Sequence, residues 1–171
     1  MPEVLLRLPS LMLSVVEVMI KIVCVGKMKD KALQALQDGY VKKSQPYHKM
    51  SVIEVAEAKN KSMEIARIKQ EEAQNILQVI QPGDQVIALT LQQSQLDSEG
   101  FSQQLYEYLD IGKTVVYVIG GSWGLDESVI ERADQLLSIS AWTLPHLLCR
   151  VVLLEQIYRA HSINRNTAYH K

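Results

Sequence analysis

LLSISAWTLPHLLCR, residues 136–150, is the stretch on which the fold turns. Its apolar opening, 136–139, reads as a short buried parallel strand. Pro145 stands where a helix would begin, a place suited to its fixed φ and missing N–H. Between them, Ser140 to Leu144 carries no acid, base or metal ligand, so this loop offers a partner mainly backbone N–H and C=O groups. It sits at the carboxyl end of a strand, where open α/β sheets bind their ligands.

Upstream, strand-like and helix-like segments alternate. MIKIVCV (19–25) is a β-rich run closed by Gly26, and 30–44 shows helical spacing through Ala32, Leu36 and Tyr40. A second strand is predicted at 50–56 and a long amphipathic helix over 59–80, stopped by Pro82-Gly83-Asp84. A strand at 85–91 precedes a helix reaching Leu109 with Ser98 as a candidate cap. TVVYVIGG (114–121) is the strongest strand, and Asp126 is placed to cap a short helix to Ala133. After the 136–150 stretch, a helix runs from Pro145 to about Ser162 and a polar tail closes the chain. Nearly all-apolar strands between helices imply one α/β domain, its mostly parallel sheet covered by helices on both faces.

The length, 171 residues, suits one domain with a sizeable core, and the composition is that of a globular chain. Cys24 and Cys149 lie in apolar runs and match no zinc spacing, which fits reduced thiols of an intracellular, cytoplasmic protein. Net charge is −1, but seven lysines stand between 21 and 49 against Asp30 and Asp38. From Arg150 onward, Arg150, Arg159, Arg165 and Lys171 stand against Glu155 alone. Solvated helix faces explain this, as does a basic face for a phosphate-bearing partner. Residues 1–18 do not read like the rest: their apolar run is too short to span a bilayer and lacks signal-peptide features. They are expected to be an extension outside the fold, with Met19 as the natural start.

Few side chains suggest chemistry. Gly120-Gly121-Ser122-Trp123-Gly124 follows the strongest strand and would let a ligand approach the backbone, although it is not G-x-G-x-x-G and has no Walker lysine. His146 opens the last helix; Arg150, Glu155 and Arg159 follow on it, with Glu155 and Arg159 at ion-pair spacing. The arginines also suit phosphate. The tail ends Tyr169-His170-Lys171, and tyrosine and histidine are both proton-transfer groups, whereas a frayed terminus would give them no role.

VIGGSWGL (118–125), LPHLLCRVVLLEQIYRA (144–160) and AYHK (168–171) strongly resemble the ribosomal large-subunit RNA methyltransferase H family, a single-domain branch of the SPOUT methyltransferases. The resemblance covers 19–171; only the turn after Lys59 departs, being shorter than the family's. It implies a C-terminal trefoil knot, a homodimer, and S-adenosylmethionine as methyl donor without a metal. The implied substrate is N3 of a pseudouridine in the helix-69 hairpin of 23S rRNA, within the ribosome. It places cofactor contacts on Leu89, Gly120, Ile139, Ser140, Ala141, Trp142, Thr143 and Leu144. On this basis His170, Tyr169 or Glu155 is expected to assist loss of the N3 proton, and Arg150, Arg159, Lys171 and His146 to contact RNA. No membrane partner is expected. A SPOUT enzyme acting on tRNA ribose, and a non-catalytic ribosome-binding module, are the alternatives.

Overall fold

The computed structural model describes residues 17–59, 62 and 64–171, so the expected extension falls almost wholly outside the described residues, as does most of the turn after Lys59. Five strands form one sheet: β1 (Met19–Val25), β2 (Lys49–Val55), β3 (Gln85–Leu89), β4 (Val115–Ile119) and β5 (Gln135–Leu137). Their order is β2-β1-β4-β3-β5, and every neighbouring pair is parallel. β4 lies at the centre and all five of its residues are buried, which is why VVYVI shows no alternation in sequence.

Side chains that alternate along each strand feed two cores. Ile20, Ile22 and Cys24 of β1 and Tyr117 of β4 face Leu105, Leu153, Leu154 and Ile157. Val23 and Val25, with Val116 and Val118, face Ala73, Ile76 and Val129. The first core is covered by α1 (Lys31–Ser44), α3 (Ser98–Asp110) and α5 (His146–Asn164), the second by α2 (Ile65–Leu77) and α4 (Glu127–Arg132). The expected helices on both faces are present.

Local chemistry moves several boundaries. Asp126 caps α4 as expected, and Asp30 caps α1. The cap of α3 is Asp97, not Ser98: its carboxylate accepts from the Gly100 N–H at 2.7 Å, while the Ser98 hydroxyl donates instead to Gln156. α2 begins only at Ile65, later than periodicity alone suggests. β3 and β5 stop at Leu89 and Leu137, because the chain beyond them turns away to build loops. Pro145 is the residue before α5, in extended backbone, and its carbonyl accepts from Cys149 N–H to start the helix.

α5 ends in an orderly reversal. Asn166 adopts φ of +52°, which asparagine tolerates better than most residues, and Thr167 N–H returns to the Ser162 carbonyl at 2.9 Å. The terminal residues therefore fold back along α5. No helix among the described residues is long and apolar enough to cross a membrane.

Candidate functional site

The chain reaches β3, turns back to β4, then passes β3 again to form β5, so the carboxyl ends of these three strands are adjacent. Their loops enclose a cleft of about 780 Å³ lined by Leu89–Leu91, Ile119–Leu125, Ser138–Ser140, Trp142–His146, Cys149 and Lys69. That size suits a cofactor-sized ligand. No carboxylate is among the lining residues.

The first wall is the turn after β4. Gly124 N–H bonds to the Gly121 carbonyl at 3.1 Å, putting Ser122 and Trp123 at the corner, and Gly124 has φ of +78°. A Cβ on Gly120 would lie 2.8 Å from the Gly124 carbonyl carbon, and one on Gly121 would lie 2.7 Å from Glu72 Oε2. Both glycines are required by close approach, here of neighbouring protein atoms. Buried Glu72 of α2 therefore supports the turn from beneath, and also accepts from Ala58 N–H at 3.3 Å.

The second wall is the loop after β5. Ser138 Oγ donates to the Ser140 carbonyl at 2.8 Å, and Ser140 Oγ accepts from Trp142 N–H at 2.9 Å. These two bonds fix the loop's backbone and occupy the Ser140 carbonyl and the Trp142 N–H. Cys149 is half-buried, its thiol lies 3.7 Å from the Leu144 carbonyl, and burial pushes its pKa up, which disfavours the thiolate. Cys24, buried in β1 away from the cleft lining, is held up to about 12, mainly by burial.

Of the residues expected to contact the cofactor, Leu89, Gly120, Ile139, Ser140, Trp142, Thr143 and Leu144 all line this cleft. Ala141 is exposed and does not. His146 lines it too.

Arg150 requires a correction. Expected to contact RNA, it is fully buried; its guanidinium pairs with Glu54 at 2.7 Å and donates to the Gly26 carbonyl at 3.0 Å. A group so enclosed joins α5 to the β1 and β2 region and presents no charge to a partner. Glu54 completes the junction by accepting from Met28 N–H at 2.7 Å.

The tail residues come together, but not at the cleft. Glu155 accepts from Arg159 and from the Tyr169 hydroxyl, the latter at 3.0 Å, and the Arg159 guanidinium lies 4.8 Å from the Tyr169 ring centre. His170 Nε2 meets Glu99 at 2.8 Å and its Nδ1 lies 3.4 Å from Arg159. With the arginine donating to Nδ1, Nε2 carries a proton and donates to the carboxylate, which depresses the Glu99 pKa. Burial, followed by bonding to Tyr40 and Glu155, pushes the Tyr169 phenol well above its ordinary range. Lys171 is exposed. None of these five lines the cleft. From Cys149 to Glu155 is six residues, about 9 Å along the helix.

Sequence reasoning missed Asp97, which caps α3 through Gly100, and Glu72 and Glu99, whose partners are remote in sequence. It also missed a second cavity of about 430 Å³, bordered by Glu99, Gln156 and Val152 and sharing Ser138 and Ile139 with the cleft. Among the described residues, no three of His, Cys, Asp and Glu gather as a metal site.

Comparison with known proteins agrees with this anatomy. A family model described as "Predicted SPOUT methyltransferase" matches residues 18–170. Among solved structures, the chain is similar to a "probable methylase family protein" from Haemophilus influenzae Rd KW20, with TM-score 0.50 and 12% identity over 89% of this chain and 70% of that one. It is also similar to a "Probable Methyltransferase" from Bordetella pertussis Tohama I, with TM-score 0.51 and 12% identity over 85% and 95% of the two chains. At such identity the structural likeness is one of fold.

Proposed function

The chain belongs to the SPOUT methyltransferase family, and from that premise we propose that it uses S-adenosylmethionine to methylate N3 of a pseudouridine in the helix-69 hairpin of 23S rRNA on the assembled ribosome. The observation that carries the cofactor half is the cleft itself. It is walled by the Gly120-Gly121 turn and a loop without charged side chains, which supports holding by main-chain groups and apolar surface. The substrate half rests on the sequence resemblance over 144–160 and 168–171.

Bound there, the cofactor supplies a sulfonium methyl already activated for transfer. The protein's work is orientation in line and exclusion of water. Leu89, Ile119 and Leu125 furnish the apolar side of the cleft, and the 139–144 loop furnishes polar main-chain groups. The N3 proton of pseudouridine must leave. Of the three candidates His170 is the one we propose: the Tyr169 phenol holds its proton tightly, Glu155 already accepts from Arg159, Gln156 and Tyr169, and the His170 Nδ1 is held only by a 3.4 Å contact with Arg159. Arg159, Lys171 and His146 remain the proposed RNA contacts.

These tail groups lie outside the cleft of their own chain, which supports a homodimer in which one subunit's tail completes its partner's cleft. The trefoil knot is proposed on the sequence resemblance over 118–125 and 144–160.

The test combines calorimetry with S-adenosylmethionine and transfer of labelled methyl groups to ribosomes from a strain lacking this protein. We expect binding, and one methyl group on helix 69 by mass spectrometry of the rRNA. Labelling of bulk tRNA instead of ribosomes would refute the substrate, and failure to bind the cofactor would refute the enzyme.

A further inference from the structure

The chain has two tryptophans, and both stand at the mouth of the cleft. Trp123 projects from the turn after β4 and Trp142 from the loop after β5, and they are 55% and 77% exposed. Leu91, 53% exposed, joins them on the rim. Indoles are large apolar groups, and leaving two in water at one site forgoes burial that a fold normally takes. The loops carrying them are pinned, one by the Gly121–Gly124 bond and the other by the Ser140 bond to Trp142 N–H, so the rings are presented on fixed supports.

The charge around them narrows the occupant. The cleft's lining holds Lys69 and His146 and no acid. All strands are parallel and β1 adjoins β4, so the loop after β1 leaves the same edge of the sheet; it carries exposed Lys27 and Lys29, Lys31 follows at the start of α1, and the intervening Asp30 is engaged in capping that helix. A flat apolar face attached to a polyanion matches both features. We propose that Trp123 and Trp142 form a stacking clamp that takes an unpaired RNA base at the cleft mouth, with Lys69 and the lysines after β1 beside the strand's phosphates. The clamp deepens the methyl-transfer reading, on which it rests for the purpose of the captured base. Stacking tolerates any base, so it grips an exposed nucleotide without reading its sequence.

Because these are the chain's two tryptophans, all of its indole emission reports on the clamp. Titration of the full chain with a single-stranded uridine hexamer should quench that emission. W123A and W142A should each weaken hexamer binding about ten-fold, whereas W123F and W142F, which still stack, should stay within about two-fold of wild type. S-adenosylmethionine affinity, measured by calorimetry on the same variants, separates a lost clamp from a damaged cleft: hexamer binding that falls only in step with cofactor affinity overturns the clamp.

A double-alanine variant that binds the hexamer as tightly as wild type overturns the clamp. So does light scattering in which the alanine variants dissociate an oligomer while RNA affinity per chain is kept, since the indoles would then be an interface between copies. Absence of cofactor binding by wild type would instead overturn the methyl-transfer reading, and hexamer quenching would still decide the clamp.

Discussion

His161, on the last turns of α5, is fully buried, and its environment makes a definite claim about acid stability. Its Nδ1 lies 2.9 Å from the Tyr106 hydroxyl, and its ring stacks on Tyr47 and His48 at 5.0 and 5.6 Å. Burial chiefly, then the charges of His48 and Arg165, lowers its pKa from 6.5 to about 4. His48 is lowered as well, again mainly by burial. A histidine with a depressed folded pKa contributes stability in full above its unfolded value. That contribution is lost as pH falls from 6.5 toward 4, because the unfolded chain takes the proton first. The complete loss for 2.5 units is about 3 kcal/mol, and by pH 5 about 2 kcal/mol is gone. Urea unfolding of wild type and H161F at pH 7.5 and pH 5 isolates this share, since carboxylate effects are common to both. H161F should be somewhat less stable at pH 7.5, having orphaned the Tyr106 hydroxyl, yet should lose about 2 kcal/mol less between the two pH values. Equal losses in the two proteins, or a His161 NMR titration near 6.5, would refute the reasoning.

Three further outcomes follow from particular contacts. G120A should fold with a displaced turn and bind S-adenosylmethionine at least ten-fold more weakly by calorimetry, because its Cβ would meet backbone, at 2.8 Å from the Gly124 carbonyl carbon. R150M should cost about 2 kcal/mol of stability in denaturant titration, since Glu54 and the Gly26 carbonyl lose their donor, yet leave the salt dependence of ribosome binding unchanged. A steeper or shallower salt slope would return Arg150 to the RNA contacts. Truncation after Thr167 should keep cofactor affinity and abolish methyl transfer, and mixing that chain with a cleft-defective G120A chain should restore activity if the tail works across a dimer. Near-normal transfer by the truncated chain alone would end the proposed role of His170.

The sheet was legible because the strands are apolar on both faces, so 19–25, 114–119 and their partners announce themselves by composition. Strand order was not: nothing within QVIAL or VVYVI states that β4 lies between β1 and β3. The loop at 140–144 could be read as a binding loop for lack of reactive side chains, and five of the eight expected cofactor contacts lie in it, four of which line the cleft. Arg150 shows the converse limit. In sequence it is one more cation on a helix with phosphate-binding credentials; its partner Glu54 is 96 residues away, and only the packing of α5 against β1 and β2 brings them together. Glu72 is equally silent, since its job depends on a glycine that folds over it.

The arrangement of the two helix ends gives the site its logic. The start of α5 borders the cleft, and its far end carries the Glu155–Arg159–Tyr169–His170 cluster, which is tied to Glu99 at the start of α3. In one chain, groups suited to hold a cofactor and groups suited to move a proton are thus separated by the body of one rigid helix. A hinge would not bring them together, because α3 and the sheet pack along α5. Only two routes to a complete site remain. Either the cleft's own rim does more of the chemistry than its lining shows, or a second copy supplies its tail. The first route has few proton-transfer groups at hand, His146 and Lys69 among the lining residues. The second uses a cluster already built, in which Arg159 and Glu155 hold Tyr169 and His170 in place before any partner arrives. On the proposed reading that preorganisation is the reason for the folded-back tail, and it makes the mixed-chain experiment the one whose failure would weigh most heavily.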